Sequence, residues 1–366
     1  IHLVGGKCAN LGELTAKGVR VPPGFAVTAS AFRHFLDETK IEEVIHKTLR
    51  NSNGSKDPKL YEEASQEIRK LIESVHMPAD VADEVRRAYR QLCKKTGCDQ
   101  VTVAVRSSAT GEDLPDASFA GQQDTYLNVK GEDQLVHYVQ KCWSSRYTPR
   151  AIFYREEKGF PHEKVLISVG VQKMVESKCS GVVFTLDPVN GDPSKIVIEA
   201  TWGLGEALVA GHVRPDRFIV DKGTLQIVHK EIVPKNLEHV PNRATGLTVQ
   251  QEVLPERQNV ACLSDSEVVE LAKLARDIED HYGTPQDIEF ALEQDKSGNA
   301  VHIVQSRPET FWSRMKAPVD DSAQHMINRI IVVQGLPASP GFHAGRAKVI
   351  STPQEAGRLM KEKDIL

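Results

Sequence analysis

Gln286-Asp287-Ile288-Glu289-Phe290-Ala291-Leu292-Glu293 and Ala300-Val301-His302-Ile303-Val304-Gln305-Ser306-Arg307-Pro308 are two strand-like stretches, separated by Gln294-Asp295-Lys296-Ser297-Gly298. Polar and apolar residues alternate, and the separating segment has a turn composition, so a β-hairpin is expected over 287–293 and 300–305. Alternation puts Asp287 and Glu289 on one face of their strand while Ile288 and Phe290 turn to the core. Gln305 and Arg307 repeat the spacing. The hairpin is therefore expected to present two carboxylates, an amide oxygen and a guanidinium on one surface. Such oxygen ligands beside an arginine suit magnesium and a polyphosphate, because Mg2+ keeps several waters and uses few protein carboxylates. A salt-bridged, solvated hairpin face would carry the same residues.

Upstream, helical spacing runs over 10–17, 31–50, 58–75, 80–95, 132–158 and 264–282, and strands are expected at 101–105, 165–175, 181–185, 195–200 and 217–220. Ser264 with Glu267 fits a capping box at the start of the last helix. The stretch 223–263 is polar and only weakly hydrophobic. Residues 311–330 lose periodicity and read as a linker, and new strands are expected at 330–333 and 345–350. Helices first, then antiparallel strands mixed with helices, make the class α+β rather than an alternating parallel sheet.

The 366 residues suffice for two domains or one large two-lobed one. With 26% charged and 40% hydrophobic residues, the composition is that of a soluble globular protein and excludes a disordered or collagen-like chain. Forty-six basic against 50 acidic side chains give a net charge of -4, which argues against a protein that grips nucleic acid by its phosphates. No apolar run is long enough to span a membrane. The six cysteines form no CxxC pair and point to neither a zinc site nor a disulfide framework; free thiols suit a reducing cytoplasm. The chain begins at Ile1 rather than Met and stops at Leu366 after a charged run, so both ends are expected to be cut.

Further stretches have chemical character. Gly5-Gly6-Lys7 precedes a helix, and paired glycines with free helix N–H groups can take an anion, Lys7 adding a mobile charge. Walker A spacing is absent, and a glycine turn before a helix reads equally well. Val105-Arg106-Ser107-Ser108-Ala109-Thr110-Gly111-Glu112-Asp113 and Ser118-Phe119-Ala120-Gly121-Gln122-Gln123-Asp124-Thr125 place Arg106 at the expected end of a strand, before a long loop of small and hydroxyl residues. A loop of roughly 20 residues without a hydrophobic pattern is unusual in a compact domain and favours function. Gln172-Lys173-Met174-Val175 could offer backbone groups to a purine edge, and the glycines of 198–208 read as a packing turn or a weak nucleotide loop. The histidines, His343 included, have no partners at ligand spacing.

The order of these pieces resembles the N-terminal nucleotide-binding part of the phosphoenolpyruvate synthase and pyruvate phosphate dikinase family, over about residues 1–312. The resemblance implies an ATP-grasp fold, two α+β lobes (about 1–190 and 191–312) clamping ATP with Mg2+. It implies a linker at 313–334 and the truncated beginning of a swivelling phosphohistidine-type domain at 335–366. It implies that Lys7, Arg106 and Arg307 act on phosphates, Gly121 and Thr125 line the cleft, Gln172 lies near adenine, and Glu289 and Gln305 bind Mg2+ beside Asp287. In such a dikinase, ATP phosphorylates a histidine and AMP leaves. The histidine domain is expected in the missing C-terminal part or in a separate subunit, with no nucleic acid or membrane partner. Pyruvate is the leading final acceptor. Phenol, as in phenylphosphate synthase, and rifampicin, as in the antibiotic phosphotransferases, stay open, as does a non-catalytic ATP sensor.

Overall fold

Val103 and Val105 alternate with Ala104 and Arg106, Val169 and Val171 with Gly170 and Gln172, and the two runs pair side by side in the computed structural model. Residues 1–52, 54–55, 57–110, 113–114, 117–118, 124–162, 166–242, 247–295, 298–310, 312, 346–349 and 364–365 are described. The chain opens with α1 (Gly5–Ala16), β1 (Gly24–Val27), α2 (Ala29–Thr39), α3 (Glu42–Ser52), α4 (Pro58–Ser74) and α5 (Ala79–Thr96). It continues with β2 (Val103–Ala109), the short pair β3 (Asp113–Leu114) and β4 (Ala117–Ser118), β5 (Thr125–Val129), α6 (Glu132–Ser144), α7 (Pro149–Glu157) and β6 (Ile167–Lys173). Then come β7 (Ser177–Phe184), β8 (Lys195–Trp202), α8 (Glu206–Val209), β9 (Asp216–Asp221), β10 (Ile227–Glu231), β11 (Leu237–Pro241) and β12 (Thr248–Glu252). The last elements are α9 (Pro255–Gln258), α10 (Asp265–Tyr282), β13 (Gln286–Asp295), β14 (Gly298–Pro308), β15 (Arg346–Ala347) and β16 (Asp364–Ile365). The class is mixed helix and sheet, as expected.

A first sheet has the order β1-β6-β2-β5, all antiparallel. Its valine face closes over Phe32, Phe35 and Trp143, whose rings lie 5.5 and 5.1 Å from the Trp143 ring. A second sheet has the order β10-β9-β8-β7-β13-β14. One row across it, Phe218, Ile198, Val183 and Ile288, packs with Val268, Leu271, Ala275 and Ile278 of α10. The capping box at Ser264 and Glu267 starts α10 where the spacing placed it.

Several expected boundaries move, each for a local reason. The helix expected over 31–50 is two helices, because Lys40 takes a left-handed backbone (φ 54°) that caps α2. The one expected over 132–158 breaks before Pro149, where Thr148 caps α7 by accepting from Ala151 N–H. The polar stretch 223–263 contains β10, β11 and β12. The chain passes from the first sheet to the second between Lys173 and Ser177, ahead of the division near residue 190, because β7 pairs with β8 and β13. The linker expected at 313–334 lies outside the described residues, as does most of 335–366, where β15 and β16 pair in parallel.

A fully buried ion pair ties the middle of the chain to the second sheet. Asp216 Oδ1 accepts from Lys235 Nζ and from Val233 N–H at 3.1 Å, while Oδ2 accepts from the N–H and Sγ of Cys262 at 3.0 and 3.2 Å. A carboxylate out of water survives only when its lone pairs are filled in this way. Asp216→Asn leaves the Lys235 ammonium buried without a counter-charge and should cost about 3–5 kcal/mol. Adding Lys235→Met should recover part of it, both read as urea midpoints.

Candidate functional site

The hairpin of β13 and β14 puts Asp287 directly opposite Arg307, and Glu289 directly opposite Gln305. Opposed residues on paired strands share a face, so the four form one patch. On β14 this depends on an irregularity. Val301 and Ile303 pair with Leu292 and Phe290 on the core side, yet Gln305 and Arg307, of the same odd parity, pair with residues of the other face. A β-bulge at Val304 makes the change: register skips this residue between Ile303↔Phe290 and Gln305↔Glu289.

The Val304 carbonyl accepts from Arg106 Nη1 at 2.8 Å. Arg106 Nη2 donates to Glu289 Oε2 at 2.8 Å and to Gln305 Oε1 at 3.0 Å. One guanidinium on the first sheet thus holds both proposed metal ligands and the bulge between the strands. Arg307 donates from Nε and Nη2 to Asp287 Oδ2 at 2.9 and 2.6 Å. Burial pushes the Asp287 carboxyl above its ordinary range; Arg307 opposes that, and the charges of Glu289 and Glu309 add to it. A second cation at this face would relieve that cost.

Arg106 does not stand at a strand end. β2 runs on to Ala109, and Ser107 and Ser108 are buried strand residues. Instead of wrapping an anion, Ser108 Oγ donates to Val4 O at 2.8 Å and accepts from Cys8 N–H at 3.3 Å. Helix α1 begins at Gly5 rather than near residue 10 and lies on this face of the sheet. The approach requires glycine twice. Gly5 has φ +70°, and a Cβ there would meet Ser108 O at 2.2 Å, while a Cβ on Gly170 would meet Cys8 Sγ at 2.9 Å. Gly5 N–H is taken by Ile1 O at 2.7 Å. The first use of the glycine pair is therefore packing.

Lys7, on α1, donates to Ser107 O at 3.3 Å. Thr125 is exposed and lies opposite Arg106 on β5. Gln172 shares the Arg106 face of the sheet, two residues beyond Gly170, the partner of Arg106. It is buried, and its Nε2 has no hydrogen-bond partner among the described residues, an amide placed to take one from outside the chain. Gly121 lies outside the described residues. Arg106, Asp287, Glu289, Gln305 and Arg307 are thus brought together; Lys7 borders them through Ser107, Thr125 is the cross-strand neighbour of Arg106, and Gln172 lies farther along the same sheet.

Sequence reasoning missed the Val304 carbonyl, for which no glycine or proline gave a signal, and Asn10, whose Nδ2 donates to Ser306 O at 3.0 Å. It also missed a continuation of the polar row. Gln305 and Glu289 align across Val182 with Glu199 and Arg217. Burial raises the Glu199 carboxyl and Arg217 opposes it, with Arg217 Nε 3.9 Å away. The acid inside Lys195-Ile196-Val197-Ile198-Glu199-Ala200 was the available clue.

The oxygen set fits magnesium held jointly with phosphate. Asp287, Glu289 and Gln305 offer carboxylate and amide oxygens, and no group of three or more His, Cys, Asp or Glu among the described residues forms an all-protein cage. No helix among the described residues is long and apolar enough to cross a membrane.

Residues 1–326 match the family described as pyruvate phosphate dikinase, AMP/ATP-binding domain. A probable phosphoenolpyruvate synthase of Archaeoglobus fulgidus is 49% identical over 366 residues, covering 100% of this chain and 47% of that protein. One from Staphylothermus marinus is 46% identical over 398 residues, covering 100% and 48%. The phosphoenolpyruvate synthase of Pyrococcus furiosus is 42% identical over 402 residues, covering 100% and 49%. The chain spans about half the length of these relatives. Among solved structures, D-alanyl-alanine synthetase A of Vibrio cholerae overlaps 68% of this chain and 55% of its own, at 13% identity and a TM-score of 0.24, too loose to argue from. Site and comparisons lead to one assignment: the chain belongs to the family of pyruvate phosphate dikinase AMP/ATP-binding domains.

Proposed function

We propose that this chain is the ATP-binding, phosphoryl-donating part of a phosphoenolpyruvate-synthase-like dikinase, built as an ATP-grasp clamp. The two cores would be its lobes, residues 1–312 the nucleotide-binding body, 313–334 a linker and 335–366 the beginning of a phosphohistidine-type domain. The single observation that carries this reading is Arg106, which reaches from the first sheet to Glu289, Gln305 and the Val304 carbonyl of the second. A cation shared between two bodies at a carboxylate-rich face is what a triphosphate held between them would require.

With AMP as the leaving product, a histidine nitrogen would bond to the β-phosphorus as the bond between the α- and β-phosphates breaks. The histidine would thus receive both terminal phosphates, and the γ-phosphate would have to pass to water before one phosphoryl group remained for the final acceptor. Phosphoryl transfer asks the protein mainly for alignment and charge neutralisation. Lys7, Arg106 and Arg307 would spread the charge of the phosphate oxygens, Gln172 would take the base, and Thr125 would line the cleft. Glu289 and Gln305, with Asp287 beside them, would hold magnesium, which when bound supplies a Lewis acid for phosphate oxygens. The histidine would come from the same polypeptide or from a partner chain. Relatives that match the whole chain are phosphoenolpyruvate synthases or probable ones, which favours pyruvate over phenol or rifampicin as final acceptor.

The deciding experiment supplies a histidine-bearing segment and follows AMP formation from Mg·ATP. Tight Mg·ATP binding with no AMP from any such segment would make the chain a nucleotide sensor instead. Glu289→Gln keeps an oxygen for Arg106 but removes a charge. It should abolish most of the gain in ATP affinity on adding Mg2+, on the order of tenfold or more, with an unfolding temperature close to that of the parent chain. Arg106→Lys cannot reach three acceptors from one planar fork, so ATP affinity should fall about 100-fold by calorimetry.

A further inference from the structure

Helix α1 is fastened to two different sheets. At its start the Val4 carbonyl accepts from Ser108 Oγ at 2.8 Å and from Ser168 Oγ at 2.9 Å, both on the first sheet. Farther along, the attachments change sides. Asn10 Nδ2 donates to Ser306 O on β14 at 3.0 Å, Tyr282 Oη donates to Asn10 O at 3.3 Å, and Leu14 is buried in the second core. His281 Nε2 lies 2.8 Å from Glu13 Oε1. Lys7 sits between the two sets, nearly one turn before Asn10.

The Asn10 bond goes to main chain rather than to a side chain. Ser306 lies between Gln305 and Arg307, so its carbonyl cannot shift without moving both. β14 is the last strand of its sheet, and its outward main-chain groups need partners from elsewhere. We infer that Asn10 is a positioning residue: its amide sets the distance of Lys7 from Gln305 and Arg307, and through it the preference for ATP over AMP. This rests on the nucleotide reading of the site proposed above. AMP lacks the β- and γ-phosphates over which Lys7 and Arg307 would act together, so misplacing one helix should be felt by ATP and not by AMP.

The test is calorimetric titration of the 366-residue chain, in Mg2+, with ATP and separately with AMP. The isosteric Asn10→Asp is compared with the parent chain, because an ionised carboxylate cannot donate to the Ser306 carbonyl. Asn10→Ser, too short to reach, is the second variant should the first not fold. The expected result is a loss of about tenfold in the ATP-to-AMP affinity ratio, with AMP affinity little changed and the unfolding midpoint lowered by no more than the loss of one main-chain hydrogen bond, an effect that is the same for both nucleotides. A ratio equal to that of the parent chain overturns the inference alone and leaves the nucleotide reading standing. Equal losses for ATP and AMP, or failure of both variants to fold, overturn it in favour of a purely structural role. A parent chain that binds neither nucleotide removes the nucleotide reading, and this inference with it.

Discussion

The open edge of β14 is the constraint around which the two sheets are arranged. An edge strand leaves every second set of N–H and C=O groups without a ladder partner, and burying them unpaired would cost one to three kcal/mol each, roughly. Here the partners come from residues outside the sheet. Ile303 N–H donates to Arg20 O at 2.9 Å, Val304 O takes Arg106 and Ser306 O takes Asn10. The first sheet and α1 therefore meet the second where its main chain is hungriest for donors, and the acidic patch lies on the same two strands. Fold closure and site assembly use the same bonds.

The chemistry of the donors matters as much as their placement. Arg106 serves three acceptors because a guanidinium is a rigid planar fork with five N–H groups, which an ammonium on a flexible stem cannot imitate. Asp216 solves the converse problem, a carboxylate out of water filled by an ammonium, two backbone N–H groups and a thiol. The two clusters differ in exposure. Asp216 and Lys235 are sealed, whereas Arg106 and Glu289 keep 18% and 25% of their side chains accessible. The first suits holding a fold together and the second suits meeting a ligand.

Much of this was legible in the residue pattern, for reasons that can be named. β13 alternates without interruption, so Asp287 and Glu289 could be placed on one face and Ile288 and Phe290 in the core. The capping box of α10 needed only Ser264 and Glu267. Strands β10 and β12 were hidden because they lie largely at the surface, with Val228, His229 and Lys230 exposed in succession, and β11 because its buried residues, Glu238 and His239, are polar and adjacent, so no period of two survives. Arg106 was expected at a strand end because Ser107 and Ser108 look like loop residues, when α1 covers Ser108 and Ser107 falls on the valine face of the sheet, so that both are core. Gln172 and Thr125 stood in stretches picked out from the residues, but their own roles came from family resemblance alone. Asn10 had no signal, since its role depends on a strand almost the whole chain away.

The bulge at Val304 has a consequence best put in terms of phase. Upstream of it odd-numbered residues of β14 fill the core; downstream odd-numbered residues carry the chemistry. The site and the core thus lie on opposite faces of one strand although their residues share parity, because one residue between them stands outside the ladder. Exchanging the Val304 side chain touches neither, because its contribution is a carbonyl and a place in the sequence. Removing the residue would bring Ile303 next to Gln305, still on opposite faces by simple alternation, so the ladder to Phe290 and Glu289 would close without a bulge and Arg106 would lose a main-chain acceptor. What the position cannot lose is its main-chain carbonyl, which any residue type supplies and only a deletion removes.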